Sequence, residues 1–176
     1  MSIFDKVKNA FSGKEVEKEA PKREETYEEI LLSPMDGEVK DIKECSDPVF
    51  AQEIVGKGVM IIPSLGKVYS PVDGEISMLA ETGHAVGITS DKNDEILIHI
   101  GLDTVELEGK PFNIVSKNGQ KVKKGDLLVE FDIDQIKAGG KEIQSPVIIT
   151  NTDGKDIQAL GFGVKNHGDE LIKVSK

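Results

Sequence analysis

The chain has 176 residues, a formal net charge of -10 and a pI of about 4.8. That length folds as one ordinary domain with room for extra segments, and so acidic a surface argues against a nucleic-acid partner. The single cysteine, Cys45, excludes an internal disulfide and a thiolate-rich metal site, and no apolar run reaches the ~20 residues of a membrane span.

The N-terminus carries no signal-peptide pattern, because Asp5, Lys6 and Lys8 interrupt its apolar residues. With cysteine so scarce, the expected setting is the cytoplasm. Within Met1–Phe11, the residues Ile3, Phe4, Val7 and Phe11 fall on one face of a helix. Residues 1–11 thus read as a short amphipathic tail, suited to weak contact with a membrane surface or a partner. Residues 12–29 are mostly charged and interrupted by Pro21. A segment this polar buries too little apolar area to offset its ordering entropy, so it reads as a flexible linker.

Residues 30–176 read as a single all-β domain, an antiparallel sandwich or barrel of short strands with at most one or two short helices. The expected strands are Glu38–Ile42, Val49–Val55, Val59–Ile62, Glu75–Ala80, Ala85–Ser90, Glu95–Ile100, Val105–Glu108, Leu127–Asp132, Val147–Asn151, Leu160–Val164 and Glu170–Val174. The 18 glycines supply tight turns between them. Asp132–Ala138, closed by Gly139-Gly140, reads as one short helix. A turn recurs: Ser33-Pro34-Met35-Asp36-Gly37-Glu38-Val39 returns as Ser70-Pro71-Val72-Asp73-Gly74-Glu75-Ile76. Proline fixes φ and Asp-Gly makes the turn, so each copy feeds a strand.

There are three histidines. His167, in Lys165-Asn166-His167-Gly168-Asp169, reads as an exposed turn residue. His99 interrupts the apolar run Ile96-Leu97-Ile98-His99-Ile100, and His84 opens the strand before it. With Asp91-Lys92-Asn93-Asp94 as the hairpin loop, Ser90 faces Glu95, Val86 faces His99 and His84 faces Gly101. His84 and His99 then share one face as diagonal neighbours, with backbones roughly 7–8 Å apart. A register slip of one residue would send the rings to opposite faces. Two adjacent imidazoles suit a nucleophile with its supporting partner, a zinc pair that lacks further ligands, or a structural role. Gly101 lets another chain come close to His99, and Asp103 offers a carboxylate to a basic partner.

Several stretches resemble the glucose-type enzyme IIA domains of bacterial sugar phosphotransferase systems. They are Asp47-Pro48-Val49-Phe50-Ala51, Pro71–Ile76, Glu81-Thr82-Gly83-His84-Ala85, Ile96–Leu107, Gly119–Asp126 and Thr150-Asn151-Thr152-Asp153. The resemblance runs in order from about Ile30 to the C-terminus, and Phe4-Asp5-Lys6-Val7-Lys8 is similar to the amphipathic tail of free-standing members. It implies a phosphotransferase component with a phosphohistidine intermediate. The donor would be the phosphocarrier protein HPr and the acceptor the IIB domain of a glucose-type permease. His99 would carry the phosphate on Nε2, His84 would support it and Thr82 would hydrogen-bond in the same site. Asp47 and Asp103 would meet basic residues of HPr, and Val49, Phe50, Ile54 and Val55 would form part of an apolar docking rim. No cofactor is required. Zinc at His84 and His99 would need a partner's ligand. The unphosphorylated form would also bind and regulate permeases or kinases, in the cytoplasm or peripherally at the inner membrane face. Ala80 and Gly83 depart from the bulkier residues common in the family.

Two rival readings use the same residues. Gly119–Asp132 and the repeated turns are similar to lipoyl- or biotinyl-type carriers, with Lys92 at a hairpin, but Asn93 and Asp94 follow it where such carriers have Ala or Met. A zinc hydrolase on a related scaffold would need His-x-His or His-Glu-x-x-His, and neither occurs.

Overall fold

A computed structural model describes residues 26–176. The tail over residues 1–11 and most of the linker lie outside the described residues. Fourteen strands run through the described residues: β1 (Glu28–Leu32), β2 (Gly37–Asp41), β3 (Lys57–Pro63), β4 (Lys67–Tyr69), β5 (Gly74–Leu79), β6 (Ala85–Ser90), β7 (Glu95–His99), β8 (Phe112–Ile114), β9 (Lys121–Val122), β10 (Leu127–Phe131), β11 (Ser145–Ile149), β12 (Asp156–Ala159), β13 (Gly163–Lys165) and β14 (Glu170–Ser175). They form an eight-stranded sheet, ordered β13-β2-β3-β11-β7-β6-β5-β9, and two three-stranded sheets, β1-β14-β12 and β4-β10-β8. The pairings are antiparallel throughout. The all-β sandwich expected from the sequence is the observed architecture. Among the described residues, no helix is long and apolar enough to cross a membrane.

The main core gathers Leu31, Val59, Ile61, Val68, Ile76, Ile88, Ile96, Ile98 and Val147 between the sheets. A smaller cluster, Ile42, Cys45, Phe50, Met60, Leu102 and Ile148, is built partly on the opposite side chains of β3 and β11. β11 is buried on both faces, which explains its unbroken apolar run Val147-Ile148-Ile149.

Both copies of the sequence repeat are cross-linked turns. Ser33 Oγ donates to the Met35 carbonyl at 2.8 Å, and Ser70 Oγ to the Val72 carbonyl at 2.7 Å. The Leu32 amide donates to the Pro71 carbonyl and the Tyr69 amide to the Pro34 carbonyl, so the copies clasp each other. Each copy also seats a second turn. Gly168 and Asp169 bond the backbone of Ser33 as Gly125 and Asp126 bond that of Ser70. The chain is thus related to itself by a pseudo-twofold exchange of these two turn pairs. His167 occupies the second turn, with Nδ1 2.8 Å from Asp36 Oδ2 and its ring stacked on Tyr69 at 4.1 Å.

Two expected strands are not strands, and a third forms only from Gly163 onward. In Val49–Val55, Asp47 Oδ1 accepts the Val49 amide proton and Pro48 opens a one-turn helix, Pro48–Ala51. Val105–Glu108 lies instead in a 3-10 turn, Thr104–Leu107, entered from Asp103 with φ at +55°. Leu160–Val164 is broken by Gly161 and Gly163 at φ +100° and +97°, which separates β12 from β13. The short helix Ile133–Ala138 forms where expected, N-capped by Asp132 Oδ1 on the Gln135 amide. β1 begins at Glu28, within the residues assigned by composition to the linker, and pairs with β14.

Candidate functional site

His99 is the last residue of β7, and His84 sits in the bend just before β6. The hairpin register differs by one residue from that expected. Ala85 pairs with His99 and Thr89 with Glu95. The loop holds three residues rather than four: Asn93 adopts a left-handed conformation at φ +66°, and Asp94 joins the ladder opposite Ser90. Strict pleating in this register would put His84 on the face away from His99. The rings nonetheless meet edge-on, with centroids 5.2 Å apart. Gly83, at φ +80°, bends the chain so that His84 precedes the regular strand and escapes its alternation. Its Nδ1 lies 2.5 Å from Thr82 Oγ1, which aims the ring.

His99 Nδ1 lies 2.6 Å from the Gly101 carbonyl oxygen. A carbonyl only accepts, so Nδ1 carries the proton and Nε2 keeps its lone pair. Burial lowers the pKa of His99, while the Gly101 carbonyl, Asp47 and Asp103 oppose that shift. Burial also lowers His84, helped by the charge of a protonated His99. Both rings are therefore neutral near pH 7, as a nucleophilic imidazole must be.

The surroundings are shared between the two core layers and the surface. Phe50 packs against the His99 ring with centroids 5.3 Å apart and is 7% exposed. It packs against the imidazole and is mostly buried, unlike the other apolar residues expected at the docking rim. Val49, Ile54 and Val55 are exposed, and so is Val105, which sequence reasoning missed. Nothing in Val105-Glu106-Leu107 signals an exposed position, because the alternation there fits a half-buried strand. Asp47 and Asp103 line a shallow surface depression with Leu102, Lys141 and Glu142, and Lys141 is ion-paired with Glu106. Lys92, the rival carrier lysine, donates to the Glu28 carbonyl at 2.5 Å.

An imidazole pair on an open face, with no deep cleft beside it among the described residues, is compatible with passing a group between macromolecules. Comparison with known proteins makes this specific. Residues 29–155 match the family model of the phosphoenolpyruvate-dependent sugar phosphotransferase system, EIIA 1. The chain is 44% identical over 152 residues to a glucose-specific EIIA component from Bacillus cereus, covering 85% of this chain and 92% of that protein. It is 53% identical over 133 residues to a beta-glucoside-specific EIIBCA component from Bacillus subtilis, covering 76% of this chain but only 22% of that longer protein. Glucose permease IIA from Mycoplasma capricolum has the same fold, with a TM-score of 0.80 and 35% identity over 84% of this chain and 96% of that one. The chain belongs to the EIIA 1 family of the sugar phosphotransferase system. It is a phosphotransferase component that carries a phosphoryl group as phosphohistidine.

Proposed function

We propose that His99 Nε2 takes the phosphoryl group from phospho-HPr and passes it to the IIB domain of a glucose- or beta-glucoside-type permease, in the cytoplasm. The single observation that carries the choice of residue is the bond between His99 Nδ1 and the Gly101 carbonyl, which leaves the lone pair on the outward nitrogen. As the new N–P bond forms, the donor's P–N bond breaks and its ring leaves with the electron pair. His99 gains positive charge, which the Gly101 carbonyl, Asp47 and Asp103 offset. Thr82 donates its hydroxyl proton to His84 Nδ1, so that His84 presents an Nε2–H to the phosphoryl oxygens. The same face serves donor and acceptor in turn. Exposed Val49, Ile54, Val55 and Val105 supply the apolar contact, while Asp47 and Asp103 meet basic residues.

The imidazole pair alone does not make a zinc site. Among the described residues no group of three or more His, Cys, Asp or Glu is placed to hold a metal, so zinc there would take its remaining ligands from a partner. Regulatory binding of permeases or kinases by the unphosphorylated form would use this same face.

The test is transfer from radiolabelled phosphoenolpyruvate through enzyme I and HPr. Wild type and His84→Gln take acid-labile label, His99→Gln takes none, and His84→Gln passes its label to IIB poorly. Label on His99→Gln would move the acceptor elsewhere.

A further inference from the structure

We propose that Thr104 and Ser145 are positioning residues for the phosphoryl transfer, acting through the Gly101 carbonyl that holds His99 Nδ1–H. This rests on His99 being the acceptor. Both residues are fully buried, and neither touches the reacting imidazole in the hydrogen-bond network. Each holds one end of the same peptide unit. Thr104 Oγ1 donates to the Ile100 carbonyl at 2.6 Å, and the Gly101 amide donates to Ser145 Oγ at 3.1 Å. Ser145 Oγ in turn donates to the Ile143 carbonyl at 2.8 Å, so its own proton is committed and its lone pair faces Gly101. The following peptide unit is held as well. The Leu102 amide donates to the Glu142 carbonyl at 3.0 Å, and the remaining acceptor of that unit is the Gly101 oxygen aimed at His99.

Two consecutive peptide planes are therefore fixed at every polar atom. The chain between them turns at Gly101, with φ at +71°, where an added Cβ would come within 2.5 Å of Thr104 Cγ2 and 2.8 Å of the Glu142 oxygen. A strand end does not need this much restraint to stop a sheet. A carbonyl that must hold one imidazole proton, while a partner docks and the ring becomes charged, does. Losing either hydroxyl frees the plane to rotate. The Gly101 oxygen then leaves Nδ1, and the proton can move to Nε2, where it blocks attack.

The experiment uses the full chain with Thr104→Val, Thr104→Ser and Ser145→Ala. Long-range proton–nitrogen NMR reports the ring tautomer of His99, and quenched-flow mixing with phospho-HPr reports kcat and KM. Wild type holds the proton on Nδ1 across pH 6 to 8. Thr104→Val and Ser145→Ala show a mixed tautomer and lose about ten- to a hundredfold in kcat with little change in KM. Thr104→Ser restores both readouts. Folded variants with the wild-type tautomer and wild-type kcat overturn the proposal, as does a slowed Thr104→Val whose tautomer is unchanged. Should the variants fail to fold, wild-type protein alone decides: a proton resident on Nε2 overturns it. Label appearing on His99→Gln would instead defeat the choice of acceptor, a separate outcome.

Discussion

At the scale of the residue, the acceptor role proposed for His99 requires a ring that is neutral yet reactive. Burial pulls its pKa below the usual 6.5, while the Gly101 carbonyl and the Asp47 and Asp103 carboxylates pull it back up. The acid limb of its titration therefore lies below pH 6.5. Asp47→Asn and Asp103→Asn, which remove raising influences, move that limb further to the acid side. A proton NMR titration of the His99 ring checks this, and a shift towards neutral pH in either variant would contradict it. The sign for stability follows from linkage. An unfolded histidine takes up its proton near pH 6.5 and the folded one only at lower pH, so the contribution of these rings to stability declines as pH falls below about 6.5. Asp103 pays for its place with backbone strain, at φ +55° without a glycine.

At the scale of the element, the far end of the same hairpin carries a buried acidic pair. Glu29 of β1 accepts from Ser90 Oγ at 2.6 Å, and Asp94 accepts from Tyr27 and Lys155 through Oδ1 at 2.8 and 2.7 Å. Asp94 Oδ2 has no other partner. Burial first, and then Asp94, push the Glu29 pKa from 4.5 up to about 7, whereas Asp94 is held below its usual value by its hydrogen-bond partners against its own burial. A proton held by Glu29 is shared with the Asp94 carboxylate beside it. Glu29 binds that proton more tightly folded than unfolded. Its stabilising contribution is therefore full below about pH 4.5 and is lost as pH rises through about 7. Glu29→Gln keeps a donor and abolishes this dependence. Because the histidines act in the opposite direction over this range, chemical denaturation at pH 5 and pH 8 should show wild type losing stability relative to Glu29→Gln between the two. Equal losses in both would remove Glu29 as the source. Composition placed Glu29 with the linker charges, because its burial depends on strands that pair β1 from far along the chain.

At the scale of the whole molecule, one face must release every partner it binds. The exposed residues Val49, Ile54, Val55 and Val105 are apolar but few, and the carboxylates beside them work best at low ionic strength. Ile54→Ser combined with Val105→Ser should weaken HPr binding about tenfold and leave the melting temperature nearly unchanged, since both side chains are exposed. Titration calorimetry alongside thermal melts separates the two, and a large drop in melting temperature would mean these residues hold the fold instead. Asp47→Asn should flatten the salt dependence of binding.

Local sequence was enough for the β class, the short helix closed by Gly139-Gly140 and the repeated Ser-Pro-x-Asp-Gly turns, and it singled out the two histidines to which the chemistry is assigned here as a proposal. Each of these is written locally, in periodicity, turn residues or a polar side chain within an apolar run. The histidine pairing was reached through a register that is off by one. The hairpin loop depends on Asn93 turning left-handed, and the ring direction depends on the bend at Gly83, neither of which periodicity records. Asp47-Pro48 did carry a readable helix start that the apolar run behind it obscured. Tertiary structure alone decided the rest: the burial of Glu29 against Asp94, the second half of the pseudo-twofold repeat, and the fixing of the Gly101 carbonyl by Thr104 and Ser145. Those depend on hydrogen bonds between residues far apart in the chain, such as the Ser33 amide and the Asp169 carbonyl, and their satisfaction is set by where the sheets place the chain.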